Sequence, residues 1–261
     1  MVEIEDVKID YFGVQSYWGI TKHMGSLDST KKLAKWCEIT QGKRVLDVGC
    51  GVGMTDVFLV KEYNCEVVGV DINEGMVERA RERIKGQDLE RRVRFEVASA
   101  EKLPFPDGSF DVVLSESVTT FVKDKKKALS EYYRVLKKRG YLGLNEEYWR
   151  RSPSEEVIRS LSDTWDIKVE LPEFSGWGLW VKETGFELVR SEEVGFESLK
   201  QASGELKRIG VRDYFYIWMK VMVSLVKSAG FRKYVWNLMF RGMEMAKAMK
   251  HLGYGLYVGR K

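Results

Sequence analysis

Between residues 44 and 144 the chain alternates short β-branched runs with stretches whose apolar residues recur every three or four positions. The runs at 44–48, 66–70, 93–97, 111–114 and 141–144 predict strands, and the helical periods between them predict βαβ crossovers in a parallel sheet. Asn73 predicts the cap of a helix that carries Met76, Val77, Ala80 and Ile84 on one face. Ser152, Pro153 and Glu155 read as cap, first-turn proline and capping-box acid ahead of Val157, Ile158, Leu161 and Trp165. After the helix-stopping Gly185, residues 186–194 predict a sixth strand, and 254–258 predict a seventh. The roughly 60 residues between them are too many for a hairpin turn and predict an inserted helical cap, with helices at 214–226 and 231–249.

The expected fold is α/β, a Rossmann-like seven-stranded, mostly parallel sheet with helices on both faces. The expected organisation is a core at 1–196, a helical cap at 197–253 and the last strand of the core sheet at 254–261. A length of 261 residues suits one large domain carrying an insertion. With 44% hydrophobic and 31% charged residues, disordered and collagen-like classes are excluded. Three scattered cysteines and two histidines offer neither a disulfide framework nor a zinc set, so no metal is expected. The acidic start MVEIEDVKID and the lack of a long apolar run predict a cytoplasmic protein.

Charge changes this picture at one end. Residues 197–261 hold 13 Lys/Arg against Glu197, Glu205, Asp213 and Glu244, a net +9, while the remainder holds 30 bases and 35 acids. Such asymmetry suits peripheral contact with an anionic membrane surface. Most of the methionines and many aromatics fall in the same region. Core packing, an apolar acceptor pocket and a homo-oligomer contact each account for them. Phe215, Trp218, Met222 and Val226 share one helical stripe, expected over the active site or at a membrane interface. The bases Lys123, Lys125, Lys126 and Lys127, with Lys137, Lys138 and Arg139, read as the solvated face of one helix, and nucleic acid is not the expected partner.

The chemistry concentrates in VLDVGCGVG, residues 45–53, a buried strand running through Gly49, Gly51 and Gly53 into a helix. Glycines there let a ligand touch backbone. Asp71 closes the next strand, 22 residues after Gly49, where a carboxylate can accept both hydroxyls of a ribose. The third glycine comes one position earlier than in a dinucleotide fingerprint, and Asp47 stands just ahead of the loop. A carboxylate there would repel a pyrophosphate and attract an ammonium group. S-adenosylmethionine meets both demands.

The sequence resembles the class I S-adenosylmethionine-dependent methyltransferases. VVGVDINEGMVERARER, AEKLPFPDGSFDVVLSESV and EYYRVLKKRGYLGLNE follow the glycine loop in that family's order and spacing. YWGITKHMG is similar to the lead-in of the branch that methylates quinones, tocopherols and sterols. The resemblance implies methyl transfer to a small hydrophobic or lipid-like acceptor, with S-adenosylhomocysteine as product. It implies cofactor contacts from Gly49, Cys50, Gly51 and Gly53, from Asp71 to the ribose, and from Ile72 beside the adenine. Ser99, Ala100 and Glu101 fall in the adenine segment, with Ser99 where the family often has Asp. Ser115 and Glu116 fall at the methionine end. Tyr17 and Trp18 either contact cofactor or pack the first helix. His23, Glu116 and Glu146 are the candidate bases, expected at the carboxyl edge of the sheet, although a loop histidine such as His23 can equally be merely solvated. Two other readings stay open: a non-catalytic binding protein on the same fold, and a nucleic-acid methyltransferase.

Overall fold

The computed structural model describes residues 9–19, 23–194 and 211–261. Seven strands form one sheet: β1 (Arg44–Val48), β2 (Glu66–Asp71), β3 (Val93–Val97), β4 (Phe110–Glu116), β5 (Leu136–Trp149), β6 (Glu187–Val194) and β7 (Leu252–Arg260). Their order is β3-β2-β1-β4-β5-β7-β6, and β7 alone runs antiparallel to its neighbours. The order reverses at β1, which opens a crevice at the carboxyl ends of β1 and β4.

Alternation along β1 assigns its two faces. Val45 packs with Leu33 of α2 (Ser26–Trp36), Leu59 of α3 (Met54–Tyr63) and Ala80 of α4 (Glu74–Ile84). Leu46 and Val48 pack on the other face with Leu129 and Tyr132 of α5 (Lys125–Val135) and Trp177 of α7 (Phe174–Glu183). Each such side chain contributes roughly 1.5–3 kcal/mol by leaving water. Helices therefore cover both faces.

Two strands run longer than their apolar patterns. β5 has 14 residues rather than the four expected, and β7 has nine rather than five. They pair antiparallel from Tyr141↔Arg260 to Trp149↔Leu252, and this ladder holds the charged Glu146 and Glu147 in a strand. The expected run of bases on one helix is corrected: Lys125 to Lys127 open α5, whereas Lys137, Lys138 and Arg139 lie in β5. The cap of α6 (Glu155–Trp165) is Ser154, which accepts from the Val157 amide, rather than Ser152.

Between β6 and β7 the chain forms α8 (Val211–Lys227) and α9 (Ala229–Ala248); residues 197–210 of the expected cap, with 195 and 196 before them, lie outside the described residues. Phe231 of α9 is fully buried against Val14 and Tyr17 of α1 (Tyr11–Trp18). Ala248 closes the other end of α9 against Leu161 and Trp165 of α6. Among the described residues no helix is long and apolar enough to cross a membrane.

Candidate active site

Gly49, Gly51 and Gly53 all adopt positive φ (75°, 53° and 75°), which L side chains rarely take. The amides of Gly49 and Cys50 both donate to the Val70 carbonyl, at 2.7 and 3.0 Å, tying the loop to β2. A Cβ on Gly49 would stand 2.1 Å from a Val118 methyl, so this glycine admits the segment after β4. Gly53 works elsewhere: a Cβ there would meet the Phe95 ring at 2.7 Å and Ala80 at 3.0 Å. It seats α3 on the sheet and does not line the cavity, which corrects its expected cofactor contact.

A cavity of about 830 Å³ opens at this edge. Of the expected residues, it is lined by Asp47, Gly49, Cys50, Gly51, Asp71, Ile72, Ser99, Ala100, Glu101, Glu116 and His23. Asp71 accepts from the Gly51 amide at 3.0 Å through Oδ2 and from the Asn73 amide at 2.9 Å through Oδ1. Burial raises its pKa while the Asn73 and Gly51 amides oppose the rise. A carboxylate offers about four acceptor sites, more than these amides use, so Asp71 can also accept from a ribose diol. Ile72 is 75% exposed at the cavity wall, an uncovered apolar face of the kind an adenine would cover. Ser99 Oγ accepts from the Glu101 amide at 3.2 Å, and Glu101 accepts from the Asp124 amide at 2.7 Å. The glycine cradle, the diol acceptor and the apolar face fit S-adenosylmethionine.

His23 and Glu116 border the same cavity and meet, with His23 Nδ1 at 3.4 Å from Glu116 Oε2. Thr30 donates to Glu116 Oε1 at 2.8 Å and lies 3.3 Å from His23 Nε2. Asn145 donates to Glu116 Oε2 at 3.3 Å and to the Met24 carbonyl at 2.6 Å, anchoring the loop that carries His23. Ring and carboxylate are thus held by β4, β5 and α2 together.

Four further residues of the expected site lie outside the cavity lining. Glu146 is fully buried and outside the cavity lining. Its two oxygens accept from Ser115 Oγ, the amides of Val118, Thr119 and Thr120, and Thr120 Oγ1. Burial and then the charge of Glu147 raise its pKa, with the Thr120 and Thr119 amides pulling the other way. With every lone pair engaged, it braces the segment after β4 and is not a base. Ser115 is fully buried in that network and outside the cavity lining. Tyr17 and Trp18 pack toward the two late helices instead of the cavity. The Tyr17 ring lies 5.5 Å from that of Phe231 with the Lys220 ammonium 4.3 Å from its centre, and Trp18 Nε1 donates to Ser224 Oγ at 3.3 Å.

The sequence reading missed Phe12, Leu27, Phe121 and Ile217, apolar residues that line the same cavity. Phe12 and Phe121 meet edge to face at 5.1 Å. No local pattern marks these residues, because they come from four separate segments. Ser117 also lines the cavity; its left-handed backbone (φ 55°) directly after a strand is the one signal that a turn there is specialised.

Fold and crevice define a class I cofactor-binding α/β protein, and similarity to known proteins agrees. Residues 46–144 match the family described as a methyltransferase domain. The 27-O-demethylrifamycin SV methyltransferase of Amycolatopsis mediterranei is 31% identical over 194 residues, covering 68% of this chain and 70% of that protein. Phosphoethanolamine N-methyltransferase 3 of Arabidopsis thaliana is 30% identical over 187 residues, covering 71% of this chain but 37% of that longer protein. The structure of phosphoethanolamine N-methyltransferase 2 of Haemonchus contortus in complex with S-adenosyl-L-methionine superposes with a TM-score of 0.69, at 21% identity, over 95% of this chain and 56% of that one. The chain belongs to the S-adenosylmethionine-dependent methyltransferases: it is an enzyme, and S-adenosylmethionine is its cofactor.

Proposed function

We propose that the protein methylates a small apolar or lipid-like acceptor of the quinone or isoprenoid kind, with His23 and Glu116 receiving the acceptor's proton. The observation that carries this reading is the His23–Glu116 pair on the same cavity as the glycine loop and Asp71, beside an apolar wall of Phe12, Leu27, Phe121 and Ile217. When bound, S-adenosylmethionine supplies a methyl carbon on a cationic sulfur. The backbone of Gly49 to Gly51 and the carboxylates of Asp47 and Asp71 hold its methionine and ribose parts, while Ile72 and Ser99 face the adenine. The apolar wall aligns the acceptor and excludes water, and alignment supplies much of the rate in such a displacement. His23 takes the proton that the acceptor nitrogen, oxygen or carbon loses, and Glu116 stabilises the imidazolium.

The test is transfer of labelled methyl from S-adenosylmethionine to a panel holding a quinol, a prenyl alcohol and a phosphorylated amine. Label in the quinol or prenyl product is expected. His23→Ala lowers kcat by about 10²–10⁴ with S-adenosylhomocysteine affinity unchanged. Label in the phosphorylated amine alone removes the acceptor class, and no transfer to any cell extract despite binding leaves a non-catalytic protein.

A second feature supports delivery from a surface. Phe215, Trp218, Met219, Met222 and Val226 form an exposed stripe along α8, with exposed Lys227, Arg232 and Lys233 at its end. The stripe points outward, so from this helix Ile217 rather than Phe215 or Trp218 reaches the cavity. Aromatics and methionines above flanking bases suit the interface of an anionic membrane, where each base adds about 1 kcal/mol that salt screens. Sedimentation with phosphatidylserine vesicles at low salt is expected to carry the protein down. High salt or Phe215→Ser with Trp218→Ser releases it. Equal partitioning to neutral vesicles, or a dimer broken by the same substitutions, overturns the membrane assignment.

A further inference from the structure

Asp56 has no part in the reaction above, yet it lies directly beneath the site. It sits in the first turn of α3 with no exposed surface, and neither carboxylate oxygen receives a hydrogen bond from a described donor. Strand register explains where it points. Asp47 of β1 lies opposite Gly69 of β2, and a Cβ on Gly69 would stand 2.5 Å from Asp56 Oδ1. Neighbouring strands are about 4.8 Å apart. The two carboxyl groups therefore meet above the glycine, on the face that α3 covers, and a glycine in mid-strand makes the niche that holds Asp56.

The other charged groups facing the pair are acids: Asp71 at the end of β2 and Glu116 at the end of β4, with the Cys50 thiol in the loop. Two cations on the cavity lining hold loop and helix partners. Arg83 of α4 donates through Nε to the Val52 carbonyl at 2.8 Å, and Lys61 of α3 donates to Gln87 at 3.0 Å. Two touching carboxyls cannot both ionise in a low-dielectric site.

We propose that Asp56 stays a protonated acid and donates its proton to Asp47, a positioning residue that keeps Asp47 as the single negative charge facing the ammonium group of the cofactor. The inference rests on the reading of Asp47 as the ammonium partner. The proton belongs on Asp56 because Asp47 borders the cavity, where water or ligand reaches its free oxygen, whereas Asp56 is sealed. Burial holds both carboxyls above their usual range, and the neighbouring acids add to the rise at Asp47, so the pair keeps a proton at neutral pH.

Asp56→Asn supplies an amide donor of the same shape, and Asp56→Ala removes the donor. Three measurements are decisive on the full chain. An infrared difference spectrum at pH 7 is expected to show an un-ionised carboxylic acid in the wild type that Asp56→Asn loses. Unfolded aspartate ionises near pH 4, so the native pair holds the extra proton and wild-type stability falls as pH rises from about 5 to 8. The thermal midpoint of Asp56→Asn relative to wild type should then climb with pH over that window. In calorimetry, S-adenosylhomocysteine affinity should stay within about threefold in Asp56→Asn and fall at least about tenfold in Asp56→Ala. An ionised Asp56 in the infrared, a midpoint difference flat with pH, or a tenfold loss in Asp56→Asn overturns the proposal. Unchanged affinity in Asp47→Asn, with the acid band still present, removes only the ammonium reading.

Discussion

Asp71 binds two loop amides with one carboxylate, so its substitution carries two costs. Asp71→Ala removes the ribose acceptor, where two charge-assisted bonds at about 1.5–3 kcal/mol each imply a hundredfold or greater loss of S-adenosylhomocysteine affinity. It also strands the Gly51 and Asn73 amides, so a drop in thermal midpoint accompanies the calorimetric loss. Ser99→Asp, by contrast, should tighten binding by pairing a charge with the adenine amino group, since an aspartate oxygen can still accept from the Glu101 amide. Weaker binding would mean that the adenine amino group points elsewhere. Glu146→Ala separates structure from catalysis: five stranded donors predict a loss of more than about 3 kcal/mol in denaturant unfolding, where a solvent-facing base would cost little.

At the scale of elements, Phe231 is the buried aromatic that seats the α8–α9 pair on α1, beside the Lys220–Tyr17 and Trp18–Ser224 contacts. Phe231 is fully buried between Tyr17 and Trp18, with ring centres at 5.5 and 6.2 Å. Phe231→Ala opens a cavity there, at a cost of about 3–5 kcal/mol if the site cannot collapse. Hydrogen exchange is expected to show faster exchange in α1, α8 and α9 while β1, β2 and β4 keep their protection. Uniform loss across the sheet would mean that these helices unfold with the sheet as one cooperative unit. The correction of Tyr17 and Trp18 belongs to this scale. Their aromatic character was plain in the sequence, but which surface they cover depends on where α8 and α9 fold back.

For the whole molecule, the cofactor cleft is shared among β1, β2, β4 and the loop that carries His23, so ligand occupancy couples to global stability. S-adenosylhomocysteine at a hundredfold excess over its Kd adds about 2.7 kcal/mol, or roughly 5–10 °C in thermal midpoint. Scanning calorimetry of wild type and Asp71→Ala at equal ligand concentration should show the shift only in the former.

Much of the candidate cavity lining around the glycine loop was legible in the sequence because its parts are local. A glycine turn, an acid at a strand end and the segment from Ser99 to Glu101 each sit at the carboxyl end of their own strand, and a parallel sheet brings those ends together in any such fold. The apolar residues Val45, Leu46 and Val48 likewise announced a buried strand, and the structure packs them on both of its faces. What the sequence could not decide were contacts between segments far apart in the chain. The apolar wall needs Phe12, Leu27, Phe121 and Ile217 from four elements, and α8 turns Ile217 inward and Trp218 outward only once it packs on α1. Glu146 and Glu116 are both acids near the carboxyl edge, yet one is consumed by amides beyond β4 and the other borders the cavity beside His23. The long β5–β7 ladder holds Glu146 and Glu147 in register, because antiparallel pairing depends on the partner strand and not on the polarity of the residues it carries.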